Sequence, residues 1–358
     1  MGVRPSIVNI LIEFLEDRQM TCTWNGKESS LYLLVGGGPQ GSWTGQECFI
    51  VASDDNAACV EEDDRYKYSD DLSILELILL ADILTEYNFM EHVASDVGMD
   101  QLYIPSHQLE TQANLNRIAQ WTDENLMKLK ESKTNYIVFS RSRQDFAVRL
   151  TVNNKYIERQ KYVKLLGVWL QEDGGWEKHI RETCKKAYAR MSLLTKLKYA
   201  GVKRDDLIDI YKKFIRSVLE FCSVAMHGSL SESQSNLLEH CQAVALRIVL
   251  QSEYESYSSA LILTGLQKLS HRRLVRCQNF SLKCVQHPQN RRFFPRNPSV
   301  GNIPEIRDRE EFVVNFARTK QYQMSAIPFC QRLLNQRHRE TQGAGEGGGE
   351  AAGGREGG

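Results

Sequence analysis

The spacing of apolar residues follows two rhythms along this chain and changes near residue 174. Upstream, the runs are short. Ile7, Ile10, Leu11, Phe14 and Leu15 recur at helical spacing behind Pro5-Ser6 and predict a helix over 6–19. Thr21 to Trp24 and Leu31 to Val35 read as strands, with Asn25-Gly26 as a hairpin turn between them. Arg65 to Tyr68 and Leu72 to Leu75 read as two short strands with Asp70 and Asp71 at their bend. A helix that Ser106 could cap carries a stripe of Leu109, Ala113, Leu115, Ile118, Trp121, Leu126 and Leu129. Tyr136 to Phe139 reads as a strand, Phe146 to Val152 and Tyr156-Ile157 as a hairpin around Asn153-Asn154, and Tyr162 to Leu170 as a third strand run closed by Asp173-Gly174-Gly175.

Beyond Trp176 the rhythm is helical throughout. Helices are predicted over 176–199, 204–220 and 232–250. The second presents Leu207, Tyr211, Phe214, Ile215 and Val218 on one face. The third opens on Ser231-Glu232-Ser233-Gln234, a capping box, and buries Leu237, Leu238, Cys241, Val244, Ala245 and Ile248. Packing signals fade after Pro295, and residues 343–358 are almost wholly Gly, Glu and Ala, a composition that cannot bury a core. The fold class expected is α+β: an antiparallel sheet with helices on one face over residues 1–174, then an all-α region over 175–250. A basic helical extension over 251–300, a poorly defined segment over 301–342 and a disordered tail over 343–358 follow.

A chain of 358 residues with 42% hydrophobic and 25% charged residues can build two cored domains. Its formal net charge is zero, but the charge is unevenly placed. From Glu47 to Asp82 there are eleven acidic residues against two basic, a net of −9. From Gly174 to Glu220 there are twelve basic against six acidic, a net of +6, and from Lys268 to Arg296 eight basic and no acidic residues. An acidic centre suits cations and basic flanks suit phosphates, although charge runs can equally be solvated faces. The nine cysteines lack CxxC pairing and fit a reducing compartment. Cys277, Cys284 and His287 have loose metal-like spacing without a fourth ligand. No apolar run approaches the ~20 residues a membrane span needs, and charged residues interrupt any signal-peptide pattern in the first twenty. A cytoplasmic or nuclear location is therefore expected.

Two motifs carry chemistry. Gly38-Pro39-Gln40-Gly41-Ser42 is followed by Tyr68-Ser69-Asp70-Asp71. A hairpin tip with two carboxylates offers the hard oxygen ligands that two-metal chemistry uses. In this order and spacing, the pair resembles motifs B and C of reverse transcriptases. Lys133 to Phe139 resembles motif D, and Lys164-Leu165-Leu166-Gly167-Val168 resembles motif E, the primer grip. Ile215 to Glu220 and the helix near Glu239 to Leu250 look like the thumb and the segment after it. Over residues 1 to 295 the chain is similar to the reverse transcriptases of non-LTR retrotransposons, as a partial polymerase palm with a thumb-like helical region.

The resemblance implies Asp70 and Asp71 as ligands of Mg²⁺ (or Mn²⁺), with Gln40, Gly41 and Ser42 lining the nucleotide and template pocket. Tyr68 and Ser69 would touch the primer end, and Leu166 and Gly167 would shape the primer-grip turn. Lys133 would protonate the leaving pyrophosphate; by itself it reads equally as a surface lysine. Lys178, Arg181, Lys185 and Lys186 would follow the duplex backbone. The implied partners are an RNA template, a DNA primer and deoxynucleoside triphosphates, and the implied context is a longer retroelement polyprotein. The family's third carboxylate, in motif A, falls upstream of the segment that Met1 to Arg18 resembles. The function expected by descent is RNA-directed DNA polymerisation. The alternative is a truncated, catalytically dead remnant that at most binds nucleic acid, and the isolated chain is expected to be inactive. Trp43 stands where the family usually has a smaller aliphatic residue.

Overall fold

A computed structural model describes residues 9, 12–13, 16–34, 65–68, 71–75, 101–104, 109–125, 127, 129–140, 145–297 and 310–346. Helices and small strand pairs make a mixed α+β architecture. The chain divides into two compact units, one of residues 1–136 and 142–159 and one of 137–141 and 160–358. The division falls near residue 160 and not at Gly174, for a reason given with the second unit.

In the first unit, residues 9, 12 and 13 are helical, and Glu16 donates its backbone N–H to the Ile12 carbonyl at 2.9 Å. The helix expected to reach residue 19 stops earlier. Asp17 takes a φ of 49°, a conformation Asp tolerates, and Gln19–Met20 is already strand. That strand, β1, pairs antiparallel with β4 (Tyr32–Leu33), while β2 (Thr23–Trp24) pairs with β3 (Lys27–Glu28). Asn25 (φ 49°) and Gly26 (φ 74°) supply the left-handed pair that a tight hairpin turn needs. The first strand expected, 21–24, thus turns back on 27–28 and not on 31–35. Next come β5 (Arg65–Tyr68) and β6 (Asp71–Ile74), antiparallel, and β7 (Gln101–Ile104), which pairs parallel with β8 (Asp145–Val148).

Helix α1 (Glu110–Glu124) begins after Leu109, which makes no side-chain cap bond; Ser106 lies outside the described residues. Leu109, Leu115 and Ile118 are buried as expected, but Ala113 is exposed and Gln112 is inside. The Gln112 amide brackets Thr151, accepting from its N–H at 2.8 Å and donating to its carbonyl at 2.9 Å. A side chain thereby takes the place of a neighbouring strand for β9 (Thr151–Val152). β9 pairs with β10 (Lys155–Tyr156) around Asn153 and Asn154, both at positive φ. Leu109, Leu115, Val148, Leu150, Val152 and Ile157 form the core of this unit. The single antiparallel sheet expected over 1–174 appears, among the described residues, as separate two-stranded pairs, one of them parallel.

The second unit opens with β11 (Tyr162–Leu165) and β12 (Val168–Gln171), an antiparallel hairpin where one continuous strand run was expected. Its turn is Leu166-Gly167, and Leu at positive φ is no turn signal in a sequence. β12 packs on α2 (Glu177–Tyr199), and Trp169 donates its N–H to His179 Nδ1 at 3.3 Å. These contacts put the hairpin with the helices and move the boundary upstream.

The helix expected over 204–220 is α3 (Arg204–Ile210), a π-helical stretch Tyr211–Arg216 and α4 (Ser217–Leu219). The wider i→i+5 winding stretches the inward repeat to four residues. Leu207, Tyr211, Ile215 and Leu219 are all buried, Phe214 faces out and Val218 is only half-buried. After α5 (Ser223–Met226), α6 (Glu232–Leu250) carries the expected capping box: Ser231 Oγ accepts from Gln234 N and Gln234 Oε1 from Ser231 N. Leu238, Cys241 and Ala245 are buried, Val244 and Ile248 are half-buried against the core, and Leu237 points out. α2, α3, α6, α7 (Tyr257–Thr264) and the start of α8 (Leu269–Gln286) share one core.

The poorly defined segment expected over 301–342 is ordered where it is described. After α9 (Lys320–Gln323), α10 (Ala326–Glu346) buries Cys330, Leu333 and Leu334 against Cys277, Cys284, Phe294 and Phe312. Its helical assignment also takes in the first residues of the tail expected to be disordered. Cys277 and Cys284 face this core while His287 is exposed, so the three do not converge on a metal. No helix among the described residues is long and apolar enough to cross a membrane.

Candidate nucleic-acid interface

The hairpin expected to resemble motif C pairs Tyr68, the last residue of β5, with Asp71, the first of β6. Asp71 therefore opens the second strand and does not sit on the bend. Ser69 and Asp70 lie outside the described residues, as do Gln40, Gly41 and Ser42. Lys133 ends a 3-10 turn, Glu131–Lys133, and is exposed. The strand expected over Tyr136 to Phe139 is a single parallel bridge between Tyr136 and Arg159, and the Tyr136 hydroxyl donates to the Val148 carbonyl. Beside Lys133, Glu131 pairs with Lys155 at 2.7 Å, and that hydrogen bond holds its carboxyl below the usual range.

In the second unit, the Leu166-Gly167 turn has φ of 46° and 88°. A Cβ added at Gly167 would lie 3.3 Å from the Phe221 ring. Phe221 follows Glu220 at the end of α4 and precedes Cys222, whose φ of 53° turns the chain into α5. The Leu166-Gly167 turn, expected as the primer grip, thus rests against the aromatic residue that follows α4.

The four cations assigned to α2 do not share one environment. Lys178 is half-buried. Its ammonium lies 5.2 Å from the Trp169 ring centroid and 5.9 Å from that of Tyr162, and 3.1 Å from Glu182. Its charge is spent on packing the β11–β12 hairpin. Arg181 is exposed but pairs with Glu177 at 2.8 Å. Lys185 and Lys186 are exposed, and no described carboxylate pairs with either. Further along, the Arg190 guanidinium stacks 5.6 Å from the Phe214 centroid and donates to the Phe214 carbonyl. The Tyr188 hydroxyl meets His240 Nδ1 at 2.9 Å.

Two carboxylates, half-buried Glu239 and buried Glu220, join helices far apart in sequence. Glu239 accepts from the backbone N–H groups of Leu269 (3.2 Å) and Ser270 (2.7 Å), capping α8 from α6 where α8 has no cap of its own. The Tyr257 hydroxyl donates to the same carboxylate, and Gln242 links Tyr257 to Tyr211. Burial, reinforced by Glu239, pushes the Tyr257 phenol far up. Glu220 is 2% exposed and is gripped by arginines. Arg272 donates through Nε (2.5 Å) and Nη2 (3.2 Å), Arg276 through Nη2 (2.8 Å), and Arg216 Nε stands at 3.8 Å. Arg276 Nη1 also reaches the Glu220 carbonyl at 3.3 Å. Sequence reasoning missed this cluster because Glu220 meets partners 52 and 56 positions downstream. The only hint was the acid-free run from Lys268 to Arg296.

Among the described residues, no three His, Cys, Asp or Glu side chains gather as a metal group. No family model, no curated protein and no solved structure matches the chain.

Proposed function

We propose that this chain derives from a reverse transcriptase of the non-LTR retrotransposon type and uses its thumb-like helices to hold a primer–template duplex by the backbone. The observation that carries the reading is the antiparallel pairing of Tyr68 with Asp71, three positions on, between β5 and β6. That geometry is what a motif C hairpin requires. Asp70 and Asp71 offer hard carboxylate oxygens of the kind Mg²⁺ takes, so they suit the metal side of nucleotidyl transfer. A bound Mg²⁺ would supply charge that steadies the triphosphate, with Asp70 as its main ligand and Asp71 assisting, and Lys133 would give a proton to the leaving pyrophosphate. By itself, the Leu166-Gly167 turn would suit a primer backbone.

The test is Mg²⁺-dependent extension of a DNA primer on an RNA template by the purified chain. Extension that Asp70→Asn abolishes supports the polymerase reading. A second reading, a remnant that binds duplex without extending it, is favoured by the exposed Lys185 and Lys186 on α2. It expects salt-sensitive duplex binding that Asp70→Asn leaves unchanged, and no extension. Absence of both extension and duplex binding overturns both readings.

A further inference from the structure

Three guanidinium groups around Glu220 carry three positive charges against one negative. Arg272 and Arg276 hold the carboxylate by charge-assisted hydrogen bonds, and Arg216 completes the ring from the π-helical stretch. Glu220 is sealed, but the arginines are graded toward solvent: Arg216 is 17% exposed, Arg272 26% and Arg276 46%. The cluster therefore presents excess positive charge outward from a fixed base. Each guanidinium has five N–H donors, and the bonds to Glu220 use only part of them. Burial disfavours the Arg216 charge first and the Arg272 charge next; Glu220 offsets part of this, and Arg276 adds to it. An anion placed over the three groups would relieve that repulsion. Half-exposed Phe221 borders the cluster through Glu220, and the Leu166-Gly167 turn lies against Phe221.

We propose that Arg216, Arg272 and Arg276, preorganised by Glu220, form a phosphate-binding site at the junction of α4 and α8. Its ligand is a tetrahedral phosphate oxyanion, whose geometry matches the planar fork of arginine. The phosphate could belong to a nucleic-acid backbone or be free in solution. The first source rests on the nucleic-acid reading above; the anion site itself does not.

The full chain is titrated with inorganic phosphate at constant ionic strength, with melting temperature as the readout. A saturable rise that sodium chloride does not reproduce is expected; no rise beyond the chloride control overturns the site. This arm needs no variant and no activity. In the second arm, an RNA–DNA hybrid is bound by wild type and Arg276→Gln over a salt series, followed by fluorescence anisotropy. Arg276 is the most exposed of the three, so Glu220 keeps its Arg272 pair in the variant. If the phosphate belongs to a backbone, the slope of log Kobs against log salt shrinks by about one in Arg276→Gln. A normal slope with a lost phosphate-induced melting shift assigns the site to free phosphate. A phosphate shift that Arg276→Gln leaves intact overturns the assignment to these arginines. Arg276→Lys, which keeps the charge and loses the fork, stands in should Arg276→Gln fold poorly, and retention of its full phosphate shift would equally overturn a forked site.

Discussion

Arg273 has no exposed surface, yet the one hydrogen bond its guanidinium makes is to Ser235 Oγ at 2.7 Å, with Nε and Nη1 unpartnered. Burial opposes its charge, and Glu239 and Glu220 offset that only through space. A buried, incompletely bonded charge is a net cost that a well-packed apolar side chain removes. Arg273→Met is therefore expected to raise the denaturant midpoint, by about 1–4 kcal/mol of stability; a fall would mean that Arg273 contributes more than its burial costs. Its neighbour His227 stands edge-on to Phe329 with Nδ1 unpartnered. Burial, and after it the Arg273 charge, pulls His227 from 6.5 down to about 4. The folded chain thus keeps this imidazole neutral, and protonation favours the unfolded chain. Its contribution is complete above about pH 6.5 and is lost as pH falls toward about 4, by roughly 3 kcal/mol in all. Denaturant midpoints measured from pH 7 to pH 4 should fall less steeply in His227→Leu than in wild type. His179, lowered by burial and then by Lys186, slopes the same way and leaves a remainder in the variant. Neither residue was legible as buried in the sequence, because Arg272-Arg273 is a plain basic pair until the helix turns one inward and the other onto Glu220.

At the scale of elements, what the sequence signalled well was local. The capping box at Ser231, the Asn25-Gly26 and Asn153-Asn154 turns and the long helix at 177–199 each rest on residues within a few positions of one another. Elements held by distant partners were missed. α10 looked featureless because polar residues interrupt its apolar stripe, yet those residues fasten it. Asn335 accepts from Phe312 N–H and donates to Phe312 carbonyl, both at 2.9 Å, and Gln331 bridges Asn315 N–H and the Phe293 carbonyl at the same length. Gln112 does the same for Thr151 in the other unit. A buried amide that satisfies one residue's N–H and carbonyl substitutes for a strand. Asn335→Leu leaves both Phe312 groups buried without partners, each costing about 1–3 kcal/mol. Loss of at least ~2 kcal/mol in chemical denaturation, with faster hydrogen exchange at the Phe312 amide, is the expected outcome; unchanged exchange there would show that the loop holds itself.

Over the whole molecule, charge sums to zero and is not evenly spread. A neutral chain has no long-range pull toward a polyanion, so any duplex affinity must come from local clusters and must fade with salt. The structure removes Lys178 from the cations available on α2 and leaves Lys185 and Lys186 exposed, with Glu182 acting on them only through space. Each phosphate contact contributes about 0.9 to the slope of log Kobs against log salt. The double substitution Lys185→Ala/Lys186→Ala should therefore shrink that slope by nearly 2 on an RNA–DNA hybrid, while Lys178→Ala should leave it unchanged and lower stability, because that ammonium holds the β11–β12 hairpin through Trp169. The reverse result, a slope sensitive to Lys178 and indifferent to Lys185 and Lys186, would turn the helix over and move the interface to the hairpin face. Asp71→Asn is expected to leave the slope untouched in the absence of a metal, since it removes no cation that neutralises a phosphate. Repeating that comparison with and without Mg²⁺ separates the two proposed readings: only if Asp71 carries a metal should the cation strengthen wild-type binding and not that of the variant.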